Sequence, residues 1–318
     1  MATTTTTTSV HVEWTPLERP RAERHEFDFS NVHDPPVVGD IVSQRGTVVC
    51  LARASLSDAV DLLGVHDRTS AGIVDDNGDL QGVLTENDMV MAYGSNVPPT
   101  TAVRSWLKSG VARLPGQELP EQTVKPSTTL LEAATHMKAH IDSDSSCHHL
   151  VVCDDAGKFH GVISSLDLAR AVFALQKLRG MAVSEVMKPR ADVPRCAPTT
   201  LFGEAVRMMT TMHKNCVLVV NEEEDVIGII TPRDALRAFS EHVPLDIDVG
   251  HWLRGLQSQW ESRRISAEAP VAEAAASMAA SFVHHLVVTS PDGSNVVGVV
   301  SALDMALALA ADEDIVIR

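Results

Sequence analysis

The sequence predicts an α/β (α+β) fold built from four tandem repeats that are grouped as two pairs. The first observation is a seven-residue pattern of Gly, two apolar residues, Ser or Thr, two variable residues and Asp. It occurs four times at nearly even spacing, which is too often for chance. The four copies begin at Gly82, Gly161, Gly228 and Gly298 and end at Asp88, Asp167, Asp234 and Asp304.

The second observation is a common order of elements inside each repeat: a short strand, a helix, two strands joined by a turn, and a second helix. In repeat 1, residues 71–74 form an apolar run of strand length, Asp76-Asn77-Gly78 provides a turn, and residues 80–84 return as the partner strand. An acid-Ala pair marks the first helix of every repeat. These pairs are Asp58-Ala59, Glu132-Ala133, Glu204-Ala205 and Glu273-Ala274.

The third observation is a longer period that groups the repeats. Trp106-Leu107 and Trp252-Leu253 follow the first and third patterns at the same distance, and similar apolar segments at residues 38–42 and 183–187 open repeats 1 and 3. Repeats 1 and 3 therefore resemble each other in ways that repeats 2 and 4 do not. We predict a disordered tail at residues 1–36, pair 1 (repeats 1 and 2) at 37–179 and pair 2 (repeats 3 and 4) at 180–318.

With these repeats the chain resembles the CBS-domain proteins, in which two repeats fold together as a Bateman module. Four repeats without a catalytic domain are similar in architecture to the gamma subunit of AMP-activated protein kinase. The resemblance implies a fold of two Bateman modules. It also implies that AMP, ADP, ATP or S-adenosylmethionine binds as a regulatory ligand in clefts between paired repeats, with no required cofactor. The expected protein partner is a kinase or a metabolic enzyme.

The repeated pattern has a structural and a functional interpretation. A hydroxyl at the N-cap with an acid three residues later is a capping box, which alone could explain all four copies. The same helix start can also receive a phosphate beside the hydroxyl. The resemblance assigns ribose binding to the four aspartates, Asp88, Asp167, Asp234 and Asp304, and the neighbouring hydroxyls are those of Thr85, Ser164, Thr231 and Ser301.

Cations near the phosphate position distinguish the four candidate clefts. Only the third pattern contains one, Arg233, which makes its cleft the strongest candidate. In repeats 2 and 4 the resemblance points to His149 and His285, each the second residue of a His-His pair. The alternative is that strand alternation leaves one histidine of each pair at the surface. Arg68 and Lys214 occupy similar positions in repeats 1 and 3.

Composition bounds the remaining possibilities. The net charge of −16 disfavours nucleic acid and anionic membranes as partners, and no stretch is apolar for long enough to span a bilayer. Five cysteines without a Cys-x-x-Cys predict free thiols in the cytoplasm, although the hydroxyl-rich start leaves organellar import open. No catalytic or standard zinc motif is present. We therefore expect a non-enzymatic monomer or homodimer that senses adenine nucleotides. The alternative is an interaction scaffold with vestigial clefts.

Overall fold

The computed structural model describes residues 27–30, 35–108, 122–139, 148–175, 178, 180–256, 260, 263–281 and 283–311. Most of the predicted tail, with the segment considered for organellar import, lies outside these residues. Within them, no helix is long and apolar enough to cross a membrane.

All four repeats have the predicted order of strand, helix, strand, strand and helix. Repeat 1 contains β1 (Val49–Leu51), α2 (Leu56–Val65), β2 (Ser70–Val74), β3 (Leu80–Thr85) and α3 (Glu86–Gly94). Repeat 2 contains β4 (Thr123–Val124), α5 (Leu130–Ala139), β5 (His149–Cys153), β6 (Phe159–Ser164) and α6 (Ser165–Ala174). Repeat 3 contains β8 (Arg195–Cys196), α8 (Phe202–Thr211), β9 (Val217–Val220), β10 (Val226–Ile230) and α9 (Pro232–Ser240). Repeat 4 contains β11 (Arg264–Ser266), α11 (Val271–Ser281), β12 (His285–Thr289), β13 (Val296–Ser301) and α12 (Ala302–Ala311).

Each repeat has a three-stranded sheet with the same topology. The short first strand runs parallel to the middle strand, and the middle and last strands form an antiparallel hairpin. In repeat 1 the hairpin turn is fixed by Asp75, whose Oδ1 accepts the backbone N–H groups of Asn77 at 2.9 Å and Asp79 at 3.0 Å. Gly78 has a φ of +88°, which a residue without Cβ adopts freely. The turn therefore fixes where the last strand and its following helix begin.

The segments before and between the repeats each pack on the other repeat of the same pair. They contain α1 (Val38–Arg45), α4 (Val103–Leu107), α7 (Val183–Val186), β7 (Lys188–Pro189), a 3-10 turn (Arg190–Asp192) and α10 (Val249–Arg254). Helix α1 opens repeat 1 in the sequence but lies on repeat 2, where the Val38 N–H donates to the Thr128 carbonyl at 2.8 Å. Helix α7 likewise lies on repeat 4, and β7 joins the repeat 4 sheet beside β13. The assignment of residues 38–42 and 183–187 to repeats 1 and 3 therefore holds for sequence order only.

Two helical cores join pair 1 to pair 2. The helices of repeat 1 pack on those of repeat 3, and the helices of repeat 2 pack on those of repeat 4. The first core is rich in aromatic side chains and contains Tyr93, Phe202, Phe239, Trp106 and Trp252, the two tryptophans coming from α4 and α10. The second core is rich in alanine, so its helices approach each other with small side chains between them.

Within each pair the repeats meet through their sheets. In pair 1, β2 contacts β6, and Gly72 leaves room for the Phe159 ring, which a Cβ would approach to 2.6 Å. In pair 2, Leu218 and Ile229 of repeat 3 share a small core with Val287 and Val299 of repeat 4. The predicted α/β fold of two paired units is therefore confirmed, while the exact boundaries at residues 36 and 179 stay predictions.

One short stretch of the predicted tail is packed rather than free. Phe27 is 7% exposed and belongs to the core shared by repeats 2 and 4. Gln44 of α1 fixes the next residue, because its amide accepts the Asp28 N–H at 2.8 Å and donates to the Asp28 carbonyl at 3.0 Å. The predicted tail at residues 1–36 thus contains a described residue, Phe27, whose side chain packs on the fold, while the extent of the tail stays a prediction. The aromatic ring of Phe27 is buried in this core although the sequence around it is polar.

Candidate functional site

The repeated pattern forms a capping box at the start of the last helix in every repeat. In each copy the backbone N–H of the hydroxyl residue donates to Oδ2 of the Asp at 2.8 Å, and the hydroxyl donates to the same oxygen at 2.6–2.7 Å. A carboxylate oxygen has two lone pairs, so Oδ2 is fully used. Only Oδ1 remains for a ligand. The four boxes are Thr85–Asp88, Ser164–Asp167, Thr231–Asp234 and Ser301–Asp304.

In three of the boxes, Oδ1 already faces a cation from a segment that precedes or joins the repeats. Arg45 forms an ion pair with Asp167, Arg263 Nη2 lies 3.5 Å from Asp234, and Lys188 Nζ lies 3.6 Å from Asp304. In every case the cation precedes the first strand of the other repeat in the same pair. Each candidate cleft is thus built from both repeats of a pair. Sequence reasoning missed all three cations, because they stand at different distances from any repeated residue.

The first box differs from the others. Burial raises the pKa of Asp88, which the hydrogen bonds from Thr85 only partly offset. In the described part of the chain no cation is paired with this carboxylate. Residues 109–121, which correspond to the segment carrying Arg263 in pair 2, lie outside the description.

A largely enclosed charged cluster lies where all four repeats meet, and Arg233 is at its centre. Arg233 Nη1 lies 2.8 Å from Asp67 Oδ1, and its Nε lies 3.4 Å from Glu86 Oε1, both acids belonging to repeat 1. Arg170 of repeat 2 binds the other oxygen of Asp67 at 3.2 Å. Arg233 Nη2 lies 3.1 Å from His284 Nε2 of repeat 4. The cation expected to serve a phosphate of repeat 3 is therefore compensated by two carboxylates from repeat 1.

The electrostatics of this cluster follow from burial and from these pairs. Burial raises the pKa of Glu86 to about 7, against the opposing effect of Arg233. Burial alone would lower the pKa of Arg233, but Glu86 and Asp67 raise it above its ordinary value. Arginine can only donate, so Nε2 of His284 accepts from Arg233 and carries no proton. Burial and the nearby Arg233 hold the pKa of His284 well below its usual range. The imidazole is neutral, and its Nδ1 faces Glu86 Oε2 at 3.7 Å.

The other three histidines of the two His-His pairs, His148, His149 and His285, are also enclosed and neutral. Burial lowers the pKa of His148 to about 4 and the pKa values of His149 and His285 to about 3. His149 Nε2 lies 2.8 Å from the Thr69 hydroxyl, and Asn215 donates to His148 Nε2. None of the four histidines is exposed, so the alternative that one of each pair lies at the surface is wrong. His149 and His285 are placed toward the centre of the molecule, but in this state they provide hydrogen-bonding groups rather than positive charge.

The clefts differ greatly in open volume. A cavity of about 550 Å³ lies beside Arg263, and its walls include Ile229, Leu256 and Trp260. By contrast, the cleft at Ser164 and Asp167 has about 20 Å³ of free space, roughly one water molecule. Of the other predicted cations, Arg68 lines this narrow cleft, whereas Lys214 is exposed. Among the described residues, no group of three or more His, Cys, Asp or Glu side chains is placed to hold a metal ion.

Comparison with known proteins agrees with the repeats found in the fold. The family model described as "CBS domain" matches four segments, residues 38–95, 117–174, 183–241 and 264–311. The chain belongs to the CBS domain family. Its four repeats form two Bateman modules, which confirms the family and architecture that the sequence motifs indicated.

Similar proteins share the fold more than the sequence. The structure of MJ1225 from Methanocaldococcus jannaschii, described as a proposed archaeal homologue of g-AMPK, superposes with a TM-score of 0.66 at 15% identity. It covers 86% of this chain and 100% of that one. A structure of a conserved protein from Pyrococcus horikoshii gives a TM-score of 0.52 at 19% identity, covering 83% of this chain and 96% of that one. An uncharacterized protein of Chlamydia muridarum is 37% identical over 59 residues, which are 19% of this chain and 18% of the relative. The chain thus spans less than a fifth of that relative.

Proposed function

We propose that this chain is a non-catalytic regulatory protein that binds an adenosine-containing nucleotide in a cleft between paired repeats and thereby controls a partner protein. The observation that carries the proposal is the arrangement around Asp234. A buried carboxylate with one oxygen outside its capping box lies near a cavity of about 550 Å³ with mainly apolar walls. This volume is within the range of small-molecule sites.

The cleft offers a distinct surface to each part of a nucleotide. The walls formed by Ile229, Leu256 and Trp260 suit a base, and Oδ1 of Asp234 can accept a ribose hydroxyl once Arg263 moves. A phosphate would lie toward the start of α9, where the helix dipole favours an anion. Arg233 can assist there only by sharing its charge with Glu86 and Asp67. We therefore expect AMP or S-adenosylmethionine to bind more tightly than ATP, because each added phosphate charge meets these carboxylates.

Ligand binding could control a partner through the contact between the two modules. A ligand shifts a conformational equilibrium only if it binds one state more tightly than the other. The charged cluster around Arg233 joins all four repeats, and it lies beside the predicted phosphate position. A bound anion that recruits Arg233 would weaken its pairs with repeat 1. We propose that the partner, a kinase or a metabolic enzyme, responds to this change in the cytoplasm, where the four described free cysteines would remain reduced.

Isothermal titration with AMP, ADP, ATP and S-adenosylmethionine tests the proposal. We expect the wild-type chain to bind AMP, and Asp234→Asn to lose at least tenfold in affinity, because the charged acceptor for the ribose is gone. The matched control is Asp58→Asn. Asp58 forms the same capping box with Ser55 at the start of α2, where it is exposed and lines neither of the two cavities described above. This variant should lose a similar cap and keep its affinity.

The scaffold alternative makes the opposite prediction. If the boxes only cap helices, both variants lose about 1 kcal/mol of stability, and no nucleotide binds to any of the proteins. The observation that favours this alternative is that all four carboxylates already complete a cap, and three are also paired with a cation. Heat of binding from AMP that disappears in Asp234→Asn but not in Asp58→Asn would reject it.

A further inference from the structure

The Asp167 cleft contains an arginine at the carboxylate to which the proposed function would assign a sugar. Arg45 is the last residue of α1, and its side chain is 11% exposed. Its Nη1 pairs with Oδ1 of Asp167, and its Nη2 lies 3.3 Å from the backbone carbonyl of Asp67. The guanidinium therefore bridges the two repeats of pair 1 across the mouth of the box.

The backbone around Arg45 is fixed from both sides. Arg68 donates through Nη2 to the Arg45 carbonyl and lies 3.5 Å from the Gly46 carbonyl. On the other side, α1 is tied to repeat 2 by the Val38 and Gly39 N–H groups. Gly46 ends the helix with a φ of +68°, a conformation that turns the chain at once toward β1. Arg45 is thus held at this position by its neighbours as well as by Asp167.

The carboxylate of Asp167 consequently has no oxygen left for a ligand. Oδ2 accepts the N–H and hydroxyl of Ser164, and Oδ1 is paired with Arg45. The free space of about 20 Å³ is far below that of the cavity near Asp234, where Arg263 lies 3.5 Å from its carboxylate. The narrow cleft and the engaged carboxylate both follow from the position of the Arg45 side chain.

We propose that Arg45 determines whether the Asp167 cleft takes a nucleotide, because its side chain fills the sugar position and occupies the ribose acceptor. The inference deepens the proposed function and depends on it only for the identity of the ligand. Wild-type protein should bind AMP without the participation of Asp167. Removal of the guanidinium should open one additional site that requires this carboxylate.

Stoichiometry measured by titration with AMP and by equilibrium dialysis tests this inference on the full chain. Arg45→Gln should bind one more AMP than wild type, and the added site should vanish in Arg45→Gln/Asp167→Asn. Arg53→Gln is the matched control, since Arg53 is an exposed arginine paired with the exposed Asp76; it should leave the stoichiometry unchanged. Arg45→Lys keeps a charge for Asp167 but cannot span both partners. It is the second variant if the glutamine variant does not fold, and it should show the added site with weaker affinity.

Each outcome decides between the two proposals. An unchanged stoichiometry in folded Arg45→Gln or Arg45→Lys overturns the role of Arg45, while binding to wild-type protein still supports the proposed function. A wild-type site lost in Asp167→Asn, or a site lost in Arg45→Gln, also overturns it, because Arg45 would then permit or contact the ligand. If wild type binds no AMP and Arg45→Gln binds one through Asp167, Arg45 closes the cleft and the Asp234 site fails. If neither protein binds, both proposals fail.

Discussion

Replacing Arg233 with methionine should lower the free energy of unfolding, because it removes the cation at the point where all four repeats meet. The substitution keeps an apolar chain of similar length and removes the charge that compensates Glu86 and Asp67. Asp67 retains Arg170 at 3.2 Å, so most of the effect falls on Glu86. Removing one partner of a buried ion pair typically costs about 3–5 kcal/mol. We expect the lower end, about 3 kcal/mol, because the Arg233 side chain is 29% exposed.

The pH dependence of this cost identifies Glu86 as its source. The pKa of Glu86 is about 7 in the folded protein, above its ordinary value of 4.5. The folded state therefore binds the proton more tightly, and ionisation of Glu86 lowers stability as pH rises from 4.5 through 7. At pH 8 Glu86 is mostly ionised in the wild-type protein, and Arg233→Met removes its compensating cation, so the folded variant has to bury an unpaired charge or take up a proton. At pH 6 most of Glu86 is protonated, so the same variant should lose clearly less stability.

Urea unfolding followed by circular dichroism at pH 6 and pH 8 provides the measurement, with Glu86→Gln and the double variant completing a double-mutant cycle. Glu86→Gln should restore most of the stability that Arg233→Met loses at pH 8, because no charge is left unpaired. An equal loss at both pH values would refute the reasoning, as would a double variant that is no more stable than Arg233→Met alone. Either result would mean that packing, rather than charge, gives Arg233 its role.

Three further outcomes can be checked by the same unfolding assay. Tyr93→Phe should lower the free energy of unfolding by about 1–2 kcal/mol, because the buried hydroxyl donates to the Val243 carbonyl at 2.6 Å, and this carbonyl would be left unpaired. An unchanged urea midpoint would contradict this. Gly298→Ala should lower the free energy of unfolding by about 1–3 kcal/mol, since the added Cβ would lie 2.4 Å from the Lys188 carbonyl oxygen. Gly180→Ala is the control and should leave stability unchanged, because nothing lies within 4 Å of its added Cβ. Equal effects of the two substitutions would argue against the close contact. Acidification from pH 6.5 should destabilise the protein, because four enclosed histidines have folded pKa values below 6.5 and gain protons only on unfolding, which outweighs the one proton that Glu86 binds more tightly in the folded state. A stability independent of pH between 6.5 and 5 would show that these imidazoles are solvated, and His285→Asn should reduce the slope by about one proton.

The repeats and their capping boxes could be predicted because they depend on spacing within a short segment. A hydroxyl followed three residues later by Asp favours a helix start, and all four copies of the repeated pattern start a helix. Strand and helix order followed from the same local patterns. What each box faces could not be predicted in this way.

The missing information concerns contacts between distant segments. Arg45, Lys188 and Arg263 lie in connections of unequal length, so no common spacing links them to their carboxylates. The charge of Arg233 could be read from the sequence, but its compensation by Glu86 depends on how repeat 1 packs against repeat 3. Similarly, the neutral state of the histidines depends on enclosure by all four repeats rather than on alternation along a strand.

The placement of α1 on repeat 2 determines which fragments of this protein can exist alone. A fragment that begins at repeat 2 would expose the apolar groove that Val38 and Ile41 fill, and would leave the carbonyls of Pro126 and Thr128 without their donors. Repeat 4 depends in the same way on α7. Gene duplication or transplantation into another protein would therefore have to move two repeats together with the preceding helix, as one inheritable unit.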